Sequence, residues 1–164
     1  MRTLVVAAIL ALLPLSGTPA QDTEAKSGPA GSRTFKAVLY HVPGTAGSGG
    51  AVKVERLKNV LTDPESAEAI GVWVKGGTPE KLQVLTVAPG QENAVVRYKD
   101  LTFRISGLYR GPQKERMSLR VSFDEGGQAA VKEFLASLDE NVMVTYPMSG
   151  EGTGSLVAVL VPVG

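Results

Sequence analysis

Leu101-Thr102-Phe103-Arg104-Ile105-Ser106-Gly107-Leu108-Tyr109 and, beyond a Gly111-Pro112 break, Met117-Ser118-Leu119-Arg120-Val121-Ser122-Phe123 alternate apolar and polar residues with a period of two. In an extended chain that period sends Leu101, Phe103 and Ile105, and then Leu119, Val121 and Phe123, to one face and the polar residues to the other. Two antiparallel strands with one buried and one wet face are the expectation. Lys99-Asp100 before them and Asp124-Glu125-Gly126-Gly127 after them are residues that accept or pre-set turn dihedrals.

Outward from this pair the same punctuation recurs. Strands are expected over Leu82–Val87, Ala94–Tyr98, Val142–Tyr146 and Ser155–Val163, with Pro89-Gly90, Asp139-Glu140-Asn141 and Ser149–Gly154 between elements. Upstream, Phe35, Ala37, Leu39 and His41 alternate with Lys36, Val38, Tyr40 and Val42 in a strand over 33–42. Residues 130–138 fit two patterns: Val131, Phe134, Leu135 and Leu138 at helical spacing, or Phe134, Ala136 and Leu138 on one face of a strand. The last strand, Leu156-Val157-Ala158-Val159-Leu160-Val161, is apolar on both faces. It is either a central strand covered on both sides or an edge that awaits a partner strand.

Helical spacing appears after the first strand. Val54, Leu57, Val60 and Leu61 recur at i, i+3, i+6 and i+7, which predicts a short amphipathic helix over Val52–Leu61. Asp63-Pro64-Glu65-Ser66 then offers an N-cap, a first-turn proline and an acid, predicting a second helical turn through Ile70, followed by a brief strand at Gly71–Lys75. The fold class expected from the whole pattern is α+β: a mostly antiparallel meander with one or two short helices after the first strand.

The ends of the sequence read differently. Residues 1–20 combine Arg2, an apolar run from Leu4 to Leu15 and Ser16-Gly17-Thr18-Pro19-Ala20, the three parts of a secretory signal with cleavage before Gln21. The apolar run is about a dozen residues, short of the roughly 20 that span a bilayer as a helix. Residues 21–32 have no large apolar side chain and are rich in Gly, Pro, Ser and charge, a flexible tether; residues 33–164 form one domain. Loss of residues 1–20 removes Arg2 alone from the 17 Lys+Arg, so cations and the 16 Asp+Glu then balance. No basic excess is left to neutralise phosphates, which excludes nucleic acid as the expected partner. No cysteine exists, so disulfides, thiolate metal sites and lipobox attachment are excluded and packing must hold the fold.

Catalytic constellations are sparse. His41 is the sole histidine and lies within a strand, without a Gly-x-Ser-x-Gly elbow. Carboxylate pairs Glu65/Glu68, Asp124-Glu125 and Asp139-Glu140 fall on a helix face or in turns, where acids serve backbone geometry. Gly150-Glu151-Gly152-Thr153-Gly154 lies between strands and lacks the Gly-Lys-Ser/Thr ending of a phosphate loop. Four Phe, four Tyr and one Trp give no stacking platform. No catalytic residue, cofactor, metal site or small-molecule substrate is inferred.

A resemblance adds to this reading. Leu82–Val87 leading to Pro89-Gly90-Gln91-Glu92-Asn93-Ala94-Val95-Val96, the pair Leu101–Leu108 and Met117–Phe123, Leu135–Leu138, Asp139-Glu140-Asn141-Val142-Met143-Val144, and Leu156–Pro162 together resemble the β-domain of secretins. Secretins are the outer-membrane gates of type II and type III secretion systems and type IV pili. More closely, the chain is similar to small exported proteins that carry a secretin-like domain alone. The resemblance implies that domain's fold, a strand at 130–138, a periplasmic or cell-envelope location and outer-membrane association.

The function expected is that of a non-enzymatic exported protein acting through a protein partner or self-association by strand pairing. Leu156, Val157, Val159 and Val161 are the candidate interaction residues. Alternatives are an outer-membrane β-barrel or pore subunit and a carboxylate-based hydrolase.

Overall fold

The computed structural model describes residues 34–44, 50–57, 66–67, 70, 76–90, 94–110, 116–150 and 153–163. Among them are nine strands: β1 Thr34–Val42, β2 Lys53–Leu57, β3 Glu80–Val87, β4 Ala94–Tyr98, β5 Leu101–Arg110, β6 Arg116–Glu125, β7 Gln128–Ser137, β8 Asn141–Pro147 and β9 Ser155–Val163. They form two antiparallel sheets, one ordered β2-β8-β9-β1-β3 and the other β4-β5-β6-β7.

The sheets pack face to face. Phe35, Ala37, Leu39, Val142, Val144, Leu156, Ala158 and Leu160 from the first sheet meet Leu101, Phe103, Ile105, Met117, Leu119, Val121 and Phe123 from the second in one core. Aromatic contacts run through it: Phe103 and Phe123 lie 5.0 Å apart and tilted, and Phe123 stacks on Tyr146 at 4.8 Å and 7°. The inward residues of β5 and β6 are those the alternation predicts, and their outward neighbours Thr102, Arg104, Arg120 and Ser122 stay at least partly in water.

The first sheet is buried on its other face as well. Val38, Tyr40, Val42, Met143, Val157 and Val159 form a second cluster with Ile70, and Ala67 packs against it. The chain reaches that position because β2 and β3 occupy opposite edges of the five-stranded sheet, so their connection must cross. β9 lies between β1 and β8, paired along Leu156–Leu160 on both sides. It is the covered central strand.

The α+β expectation is corrected: the described residues are nearly all antiparallel strand and contain no helix. Lys53–Leu57, expected within a helix, is β2, paired with Asn141–Thr145 of β8. Its five residues lie at an edge and none is fully buried, so no period-two burial marks it as a strand. The helical turn through Ile70 is represented by one Ile70 N–H bond to the Ser66 carbonyl at 3.2 Å. Asp63–Glu65, the remainder of the expected first helix and the strand Gly71–Lys75 lie outside the described residues, as do 1–32. Residues 130–138 fall mainly in strand β7. Only the four-stranded sheet is a meander; the five-stranded one mixes early and late strands.

Two glycine sites fix the chain path. Gly126 and Gly127 both have positive φ, 58° and 84°, the requirement of a two-residue hairpin loop whose twist matches its strands. At Gly154, φ is +84° and an added Cβ would lie 2.1 Å from the Val42 carbonyl oxygen. Gly154→Ala is expected to cost on the order of 3 kcal/mol, combining left-handed strain with backbone collision. Gly126→Ala, with nothing within 4 Å of the added carbon, is expected to cost about 1 kcal/mol. Urea denaturation of both variants checks the difference, and equal losses would contradict the close approach.

Candidate functional site

β6 continues its inward row Leu119, Val121, Phe123 to Glu125, so that a carboxylate ends a row of core side chains. The Gly126-Gly127 turn pairs Glu125 with Gln128 and starts β7 directly beside it. On the opposite sheet, Tyr146 of β8 faces the same place through its stack on Phe123. Glu125 Oε2 accepts the Tyr146 hydroxyl at 3.0 Å and the Ser149 hydroxyl at 3.0 Å, and the Ser149 N–H reaches Oε1 at 3.0 Å and Oε2 at 3.1 Å. The carboxylate therefore ties the end of one sheet to the end of the other.

These residues open into a cavity of about 310 Å³ lined by Gly50, Glu125, Gln128, Ala129, Ala130, Tyr146 and Ser149. Burial first, and then the hydrogen bond and negative charge of Glu125, push the Tyr146 phenol up to about 12. A phenol so held keeps its proton at neutral pH and is a donor. Ser149 has no imidazole beside it: His41 Nε2–H donates to the Thr153 carbonyl at 2.7 Å and its ring packs on Tyr98 at 5.0 Å. The cavity presents the Glu125 carboxylate and the small surfaces of Gly50, Ala129 and Ala130.

The second feature is the edge of β7, which among the described strands pairs with β6 alone and is free on its other side. In a two-residue hairpin the flanking pair Glu125/Gln128 is mutually hydrogen-bonded, and bonded and non-bonded pairs then alternate along the ladder. The pairs of Ala129, Val131, Glu133 and Leu135 are the non-bonded ones, so their N–H and C=O groups point away from β6. The Leu135 carbonyl accepts the Arg56 guanidinium of β2 at 3.3 Å, as that geometry requires. Val131 and Leu135 are also exposed hydrophobic side chains, 56% and 42% accessible, on either side of Glu133, which pairs with Arg120.

Other edges are less available. β2 and β4 have five residues each. β3 carries a register shift opposite Leu39/Tyr40 and the charges Glu80 and Lys81 at its start, devices that blunt an edge. β7 pairs over ten residues without a shift, an edge of roughly 33 Å.

The residues expected to carry interaction lie elsewhere. Leu156 is in the core between the sheets, Val157 and Val159 are in the second cluster, and Val161 packs against that cluster. The backbone of Leu156, Val157 and Val159 is paired on both sides, and that of Val161 pairs with Lys36 of β1. Of the carboxylates, Asp124 approaches Arg104 at 4.0 Å and accepts the Gly127 N–H, and Asp139 bonds Ser137. They lie near opposite ends of β7, roughly 25 Å apart along the strand, while Glu65 and Glu68 are outside the described residues. Among the described residues no three metal-ligating side chains converge, and no helix is long and apolar enough to cross a membrane.

The Glu125 cluster was missed because the Asp124–Gly127 segment reads as turn chemistry. The signal present was Gly126-Gly127 itself, which makes Glu125 the last residue of an inward row. Comparison with protein-family models, curated proteins and solved structures returned no match.

The raised phenol sets a pH dependence. Tyr146 binds its proton more tightly folded than unfolded, so its contribution is complete below about pH 10, the unfolded value, and is lost as pH rises toward 12. Denaturation midpoints measured across this window should fall less steeply for Tyr146→Phe than for the wild type. Identical slopes would remove the Glu125–Tyr146 link.

Proposed function

We propose that this chain is an exported, non-enzymatic β-sandwich domain of the cell envelope that works by taking a strand of a protein partner onto the free edge of β7. The observation that carries the reading is the outward N–H and C=O array of Ala129, Val131 and Glu133 beside exposed Val131 and Leu135. Strand addition draws affinity from such main-chain groups and specificity from alternate side chains. Export is supported by the signal-like residues 1–20, and an envelope location also by the secretin-like residues between Leu82 and Pro162. Passage of cargo through a pore is not part of the proposal. The barrel alternative meets an outer sheet face carrying Arg97, Arg104, Arg120 and Glu133, where a membrane barrel presents an apolar band.

Val131→Pro tests the edge. Its N–H faces away from β6, a position at which an edge strand accepts proline, so the denaturation midpoint should stay near that of wild type. Capture of an envelope protein that wild type retains and Val131→Pro loses is the expected result. Capture that survives the proline sends the interaction to another surface. N-terminal sequencing of the exported protein should begin at Gln21, and a retained Met1 would end the signal-peptide reading.

A further inference from the structure

We infer that the strand received by β7 carries a basic side chain near the Gln128 end, seated in the Glu125 cavity; this rests on the strand-addition reading above. The cavity and the free edge are continuous, since Ala129 and Ala130 belong to both. A strand laid along Ala129–Leu135 therefore brings one inward side chain to the cavity mouth. β7 itself sends Ala130, Lys132 and Phe134 inward, opposite the buried Phe123, Val121 and Leu119.

Charge sets the chemistry and the register. Glu125 is bound by hydroxyls and one amide, and among the described residues no cation lies within ion-pair distance of it. Among the described residues its Oε1 accepts the Ser149 N–H alone, leaving acceptor capacity that an ammonium or guanidinium can use. Long Lys and Arg stems reach such a group while their methylenes cover Ala130 on the same inward row. Lys132, two residues further along the same inward row, repels a second cation there. The basic residue is thus confined to the Gln128 end, with apolar residues opposite Val131 and Leu135 on the outward face.

The test is selection of a random-peptide library displayed on phage against the intact folded domain, followed by affinities of the selected synthetic peptides for variants. The expected peptides alternate apolar residues, carry one Lys or Arg toward one end and lose binding to Val131→Pro. Their affinity falls about tenfold for Glu125→Gln, the size of one charge-assisted contact. Gln128→Lys, which puts a fixed cation on the inward row at the cavity mouth and removes none of the Tyr146, Glu125 and Ser149 groups, should reproduce that loss. Peptides that lose Val131→Pro yet ignore both charge variants overturn the basic-residue inference and leave strand addition standing. Peptides indifferent to Val131→Pro, or a selection that yields none, overturn both. A dimer of the domain that Val131→Pro dissociates makes a second copy the occupant and overturns the basic-residue inference.

Discussion

Leu156, Ala158 and Leu160 face one way along β9 and Val157 and Val159 the other, and none of the five touches water. Burying each of the larger side chains contributes roughly 1.5–3 kcal/mol, so a strand of this composition needs cover on both faces. The second sheet supplies one cover through Phe103, Leu119 and Phe123; the crossing between β2 and β3 supplies the other through Ala67 and Ile70. Its backbone, sealed from water, needs partners on both edges, and β1 and β8 provide them. The two-sheet architecture and the placement of β2 and β3 at the margins follow from this one strand.

A sandwich built around a central strand still has edges. Short β2 and β4 and the shifted, charged β3 limit what can pair with them. β7 is regular and long, with Lys132 on its inward row and Arg56 covering the Leu135 carbonyl. Those two devices protect parts of the edge and leave Ala129–Glu133 open. Glu125 fastens the sheets beside that opening through Tyr146 and Ser149, so the rigid end of the core and the open edge meet at one place.

Much of the strand pattern was legible because period-two alternation is local. Ala94–Tyr98 and Ser155–Val163 agree with the sequence reading at both ends, and β5 and β6 bury the residues their alternation names. The helix expected at Val52–Leu61 failed because Lys53–Leu57 is held by β8, far along the chain, and long-range pairing overrode a short 3.6-residue pattern. Residues 130–138 were ambiguous alone, yet Gly126-Gly127 ahead of them is a hairpin signal that favours strand. Two-sided burial of Leu156–Val161 was one of two readings, and nothing local distinguishes a covered strand from an open edge. The site was less legible still, because β7 becomes an edge only through the division of the described strands between two sheets.

Residue-resolved amide hydrogen exchange of the free domain tests the central claim most directly. The account predicts slow exchange for amides along β9, and alternation along β7 with Lys132 and Phe134 protected while Ala129, Val131 and Glu133 exchange fast. Protection of Val131 and Glu133 equal to that of Lys132 would mean that the β7 edge is already occupied, and would contradict it.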